Sequence, residues 1–475
     1  MKVYDKGGKL ARTVGLAGGR PTVGTWQPHA MLNPAGLAVD SQGRLWVAEE
    51  DPAARRVSVW AADGRLVKDF MGPAVLRATA DANADPDDKT RLFANGFEFR
   101  LDYDKNKAEP IAATRADTCG DWLKTEGRRY LMSMSGSLFL RKNDELKHVA
   151  RIASFAARDC WAEPNPYTDG YPLPPFPEYH GSEGITISFI WTDMNNDEKP
   201  QTEEMLIASP ITGHPQGWKY VVGATGCWLD EEFNLYGCAT ESTTGVGAAI
   251  GTFLTRTPLK GWTPGGVPIW DLGKQKLLAE NKQVGILLVA DGYLVGTLDD
   301  SFIGLRAHDG AARWTYKNSW PTTGSSNSVE VFDRDDVIIC PFGCIGRART
   351  SVGTVFALNS KMGRLHLMTA DGLFVASVFR DFRSGGDAWP NQARRGMPLD
   401  GLTMGDCWWG GHFFKAEKSN EYYLIAGTSA YNLIKLNGLE SLRAVSGGAV
   451  TVTDKDLRAA QDLLPEPAAE KAADQ

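Results

Sequence analysis

Hairpins recurring along the whole chain predict an all-β fold, a β-propeller of about seven four-stranded blades. Two further observations point the same way. Turns of the Asp-Gly kind punctuate apolar stretches of strand length, with 51 glycines and 25 prolines spread over 475 residues. The 15 tryptophans suit sheets that pack face to face through large rings. The pattern is sharpest from Pro34 to Gly72, PAGLAVDSQGRLWVAEEDPAARRVSVWAADGRLVKDFMG. LAVD, RLWVAE, RVSVWA and RLVKDF alternate or run apolar with β-formers. The DSQG and AADG turns supply the glycine that tight hairpins need at positive φ.

Taken in order, the first hairpin, MKVYDKGGKLARTVG, matches RVSVWAADGRLVKDF and reads as the outer strands of a blade. Weaker blades lie near 92–115 and 118–152. Segment 156–224 is atypical and reads as an insertion. TGCWLDEEFNLYGCAT, near 225–240, aligns with GLAVDSQGRLWVAEE. Whole blades follow at 286–316, with ADG and HDG turns, and at about 329–379. The last, DCWWGGHFFKAEKSNEYYLIAGTSAYNLIKL, covers 406–436. An open sheet edge invites aggregation, so the N- and C-terminal strands are expected to close one blade together. The propeller then spans 1–440. Residues 441–475 form a C-terminal strand, a short helix capped by Thr453 or Asp454, and a linker tail.

A formal charge of -7 without a basic run excludes a general nucleic-acid surface, which needs a concentrated basic face. No apolar stretch reaches the roughly 20 residues of a membrane span, and the N-terminus lacks a signal-peptide core. The seven cysteines (Cys119, Cys160, Cys227, Cys238, Cys340, Cys344, Cys407) contain no C-x-x-C pair. They read mainly as buried thiols, with a Cys340–Cys344 bridge conceivable. Cys119 with Trp122, Cys160-Trp161, Cys227-Trp228 and Cys407-Trp408 open several blades alike. They mark equivalent inner strands or, alternatively, an aromatic-lined funnel.

Four constellations can carry chemistry. The strongest is Asp193-Met-Asn195-Asn-Asp197-Glu-Lys199-Pro-Gln201-Thr-Glu-Glu204. Oxygen donors at positions 1, 3, 5, 9 and 12, with the Lys199 carbonyl at 7, are those of an EF-hand-type calcium loop. Glu198 stands where glycine is the rule, which predicts a strained turn, and the preceding ISFIWT reads as a strand. A metal-free acidic hairpin is the other reading. The second is Gly405-Asp406-Cys407-Trp408-Trp409-Gly410-Gly411-His412, where Asp406 and His412 are acid/base candidates and Trp408 and Trp409 can stack a ligand. In the third, within the insertion near 156–190, Asp159 and His180 are further acid/base candidates and Trp161 and Tyr179 stacking ones; such loops often carry binding sites. The fourth is Arg347 and Arg349, able to clamp a carboxylate or sulfate or simply to solvate a turn.

NPAGLAVDSQGRLWVAE with VSVWAADGRLV resembles NHL-type repeats, and ADG…GLRAHDGAARWTY looks like a quinoprotein-type blade. Together with the W-x-D-x-N-x-D-x-x-x-Q-x-x-E loop and YYLIAGTSAYNLIKLNGLESLRAVSGG, they resemble propeller segments of large secreted proteins of planctomycete and verrucomicrobial type. That resemblance implies a propeller, export and calcium, and no particular activity. The leading expectation is an extracytoplasmic binding or scaffold module for a carbohydrate or protein ligand, stabilised by calcium, from a chain that can carry further modules. The alternatives are a saccharide- or lactone-active enzyme, with its site in the funnel, and an envelope assembly component.

Overall fold

The computed structural model describes residues 1–20, 23–49, 56–71, 82–94, 96–114, 120–133, 136–143, 145–156, 186–208, 227–239, 251–299, 301–317, 338, 341–360, 363–381, 394–399, 401–402, 411–426, 432–445 and 453–461. Their architecture is all-β and propeller-like, built from antiparallel meanders. Among the described residues β1 (Lys2–Tyr4) and β2 (Leu10–Thr13) pair with each other alone, and β3 (Gly24–Thr25) is a short strand that pairs further on. β4 (Pro34–Val39), β5 (Leu45–Glu49), β6 (Arg56–Trp60) and β7 (Leu66–Met71) form the four-stranded sheet expected at 34–72. Its first turn closes as the DSQG motif predicts. Asp40 accepts the amides of Gln42 and Arg44, and Gly43 takes φ 72°.

Six more sheets follow. The first holds β8 (Asn83–Asp85), β9 (Asp88–Ala94), β10 (Phe97–Asp102) and β11 (Lys107–Ala113), with β3 added outside β11. The second runs β12 (Gly120–Thr125), β13 (Arg128–Ser133), β14 (Ser137–Lys142), β15 (Glu145–Ala156), β16 (Thr186–Thr192) and β17 (Met205–Ala208). β18 (Cys227–Leu229), β19 (Leu235–Ala239) and β20 (Gly251–Thr257) begin the third, beside a separate hairpin of β21 (Leu259–Trp262) and β22 (Pro268–Trp270). The long β23 (Lys276–Ala290) completes the third sheet with its first half. Its second half starts the fourth with β24 (Tyr293–Leu298), β25 (Ser301–Arg306) and β26 (Ala312–Lys317). β27 (Pro341–Thr350), β28 (Gly353–Ser360), β29 (Leu365–Thr369) and β30 (Phe374–Val378) make the fifth. β31 (His412–Ala416), β32 (Glu421–Ala426) and β33 (Asn432–Leu436) make the sixth.

These six sheets form a closed cycle. Between the first and second, the Asn83 amide donates to the Gly120 carbonyl and accepts from Trp122 Nε1, above a core of Phe93, Leu131 and Phe139. The second meets the third through Tyr130, Met132, Phe233 and Leu235, and Tyr130 Oη donates to the Gly266 carbonyl at 2.5 Å. The third joins the fourth along β23 itself, over Trp228, Tyr236 and Leu288. Phe302, Phe356 and Met368 join the fourth to the fifth. Single parallel bridges tie adjacent inner strands, Ile286 to Gly343 and Gly346 to Phe413. The sixth returns to the first. Ala82, Ala84 and Ala94 make room for Phe414, Tyr423 and Ile425, and Lys89 Nζ lies 2.7 Å from Glu421.

That seam corrects one expectation. Among the described residues the first hairpin does not complete the sheet at 406–436. Its apolar side, Met1, Val3 and Val14, covers Val47 and Trp60 of the β4–β7 sheet instead, and Arg12 donates to the Ala62 carbonyl. Among the described residues the β4–β7 sheet shares no strand pairing with the cycle. A segment around Trp26 joins it to the first ring sheet, Trp26 packing edge-on against Phe97 and its amide bonding to Ile111. Leu37 and Val39 on edge strand β4 remain exposed. The conceivable Cys340–Cys344 bridge is not formed, because the buried Cys344 thiol is free. The capped helix appears as α1 (Asp454–Gln461), where Thr453 and Asp456 bond reciprocally. Among the described residues no helix is long and apolar enough to cross a membrane.

Candidate functional site

The first strands of the sheets face the middle of the cycle, so side chains there are the ones brought together from distant parts of the chain. Arg347 on β27 reaches across it. Its Nε lies 2.7 Å from Asp121 Oδ2 on β12. β12 belongs to the second sheet and β27 to the fifth, three seams apart in either direction, so this ion pair spans the ring. The two side chains are 11% and 16% exposed. Burial lifts the Asp121 carboxyl above its ordinary range, and Arg347 only partly opposes that. Among the described residues Arg347 Nη1 is buried without a hydrogen-bond partner, a costly state for a charged donor. Cys344 sits close enough to feel both charges, and burial pushes its thiol up to about 12, which leaves it an inert thiol.

Arg349 lies two residues further along β27 and is exposed. It pairs with Asp291 at 2.8 Å, and that carboxylate also accepts the Thr354 amide. The two arginines therefore do not form one clamp; each is engaged by a different acid.

His412 opens β31 in the closing seam. It is buried, stacked on Phe414 at 4.9 Å, and its Nδ1 accepts the Ala84 amide at 3.3 Å. Burial pushes its pKa down to about 3, so the ring is neutral and serves the seam. Asp159, Trp161, Tyr179, His180, Asp406, Trp408 and Trp409 lie outside the described residues.

Loop 193–204 connects β16 to β17, flanked by strands as predicted. Asp193 is buried, and its carboxylate accepts the Asp197 and Glu198 amides, each at 3.2 Å. Glu204 is buried too, accepting Trp191 Nε1 at 2.9 Å and the Met194 amide at 2.7 Å. The turn between them is strained where expected, with Asn196 at φ 65° and Glu198 at φ 59°. Gln201 bridges Asn195 and Asp197, and Lys147 pairs with Glu198 at 2.8 Å. Burial raises the Asp193 pKa, and the charge of Glu204 adds to the rise. Neither buried carboxylate has a Lys or Arg partner among the described residues. No three His, Cys, Asp or Glu side chains gather as a metal cluster among them either. The loop is thus oxygen-rich and folded around two unneutralised acids, with its exposed donors bonded to one another.

Asp121 was not singled out from the sequence. A signal exists: Gly120-Asp121-x-Leu follows Cys119 much as Gly405-Asp406 precedes Cys407-Trp408, and Gly120-Asp121 opens the second ring sheet.

No family model and no curated protein matches the chain. Among solved structures it is similar to apo AztD from Citrobacter koseri, at 13% identity and TM-score 0.32, over 83% of this chain and 95% of that one. A second Citrobacter koseri AztD structure aligns at 12% identity and TM-score 0.33, over 84% and 92%. BamB from Moraxella catarrhalis aligns at 8% identity and TM-score 0.25, over 85% and 82%. Likenesses at this level say nothing of ligand or activity.

Proposed function

We propose that this chain is a non-catalytic binding or scaffold module acting outside the cytoplasm. It presents a carbohydrate or protein ligand site on the loop face of its ring of sheets, and calcium stiffens the 193–204 loop. The observation carrying the binding reading is the make-up of the ring's interior. Arg347 and Asp121 are ion-paired there, and the one described acid/base candidate, His412, is a neutral packing residue. Catalysis needs such a group within hydrogen-bond reach of substrate. The calcium reading is supported by Asp193 and Glu204, two buried acids without a cationic partner among the described residues, in a loop with further oxygen donors at Asn195, Asp197, Gln201 and the Lys199 carbonyl. Bound there, a divalent cation supplies the missing positive charge.

The test is a thermal-stability and saccharide-binding screen in calcium and in chelator. Calcium at a hundred times its Kd is expected to stabilise by about 2.7 kcal/mol, and Glu204→Gln should erase most of that gain. Equal stability in calcium and chelator removes the cation from the account. Turnover of any saccharide or lactone in the screen overturns the non-catalytic reading.

A further inference from the structure

We propose that the Arg347–Asp121 pair in the middle of the ring is a recognition site for a carboxylate group on a small ligand such as a sugar acid. The inference rests on the binding-module reading and names the chemistry of its site. A guanidinium carries five N–H donors in a rigid fork. Here Nε is spent on Asp121, while Nη1 has no acceptor among the described residues although it is buried. A charged donor in that state gains most from a charged acceptor, and a carboxylate oxygen supplies one.

Two features separate this pair from an ordinary structural ion pair. It bridges opposite sheets of the cycle and so lies where the inner strands converge. Both side chains keep limited exposure, 11% and 16%, while Nη1 itself is buried, so a small group reaches that donor by displacing what covers it. Arg349 and Asp291, exposed on the same flank and already paired, leave the local charge balanced apart from the unused donor. A bound carboxylate takes that donor and stands near Asp121, whose negative charge opposes it.

The two members of the pair should therefore act in opposite directions. With glucuronate as probe and glucose as neutral control, calorimetry on the full chain should show glucuronate binding and no glucose binding. Arg347→Gln should weaken glucuronate at least about tenfold. Asp121→Asn should tighten it by about tenfold, as expected for removing one like charge at close range. Should Arg347→Gln fail to fold, Arg347→Lys keeps the charge and loses the fork, and it should still weaken binding. Acetate as a second probe separates recognition of the carboxylate from recognition of the sugar ring. Glucuronate binding that is unchanged in Arg347→Gln, or weakened in Asp121→Asn, overturns this site while leaving the binding-module reading intact. A chain that binds neither glucuronate nor acetate also overturns it. Failure with every saccharide and protein ligand screened, or turnover of any of them, overturns the broader reading.

Discussion

Replacing Gly346 with alanine is expected to cost about 3 kcal/mol or more, at the upper end of what overpacking costs. A Cβ at this position would lie 2.4 Å from both the backbone nitrogen and oxygen of Phe413. Those are main-chain atoms of the neighbouring inner strand, so no side chain can swing away to absorb the clash. β27 and β31 would have to separate at their single parallel bridge. The core that Ala357, Leu365, Phe413 and Leu424 build between the fifth and sixth sheets would then open. Gly261 is the control, because an added Cβ there meets nothing within 4 Å; Gly261→Ala should be near neutral. Denaturant titrations of the two variants measure the difference. A Gly346→Ala protein as stable as Gly261→Ala would mean that the two strands do not approach as described.

Arg56→Met should destabilise the β4–β7 sheet by about 3–5 kcal/mol, the usual cost of breaking a buried ion pair from one side. The Arg56 side chain is fully buried. It holds Glu49 at 3.0 Å, Asp69 at 2.8 Å and the carbonyls of Ala30 and Pro28, and it lies over the Trp26 ring. Methionine keeps an unbranched apolar stem but lacks the guanidinium and leaves those acceptors unpaired. Glu49 keeps Arg20 at 2.9 Å and the Leu32 amide, whereas Asp69 loses its cation. Because this sheet shares no described strand pairing with the cycle, the loss should stay local. Hydrogen exchange should accelerate across residues 28–71 and remain slow in the seams between 82 and 436. Uniform acceleration over the whole chain would show instead that the sheet is integral to the ring.

The single hairpins were legible because the information for them is local. Period-two patterning and Asp-Gly turns gave the β4–β7 sheet, the sheet over 286–316 and the four strands within 118–152, since turn geometry and pleat depend on near neighbours. Ring neighbours were not legible. The likeness between residues 1–15 and 56–70 reports that both are ordinary hairpins, and it does not say what either covers. Ala84 and His412 meet across 328 residues, through small side chains on one strand making room for rings on another, and no repeat encodes that fit. β8, three residues long, is too short to show a period at all. The 193–204 loop was legible to the level of its inward acids and its strained Glu198, because donor spacing and turn conformation are again local. Asp121 was missed because its partner lies in a sheet three seams away.

Zero-length carbodiimide cross-linking followed by peptide mapping tests the closed cycle most directly. Lys89 and Glu421 are 2.7 Å apart across the seam that returns the sixth sheet to the first, so an amide between them should be among the most abundant long-range links. Coupling of Lys2, Asp5 or Lys9 from the first hairpin to residues 412–436, with no Lys89–Glu421 product, would contradict it and restore closure by the chain's two ends.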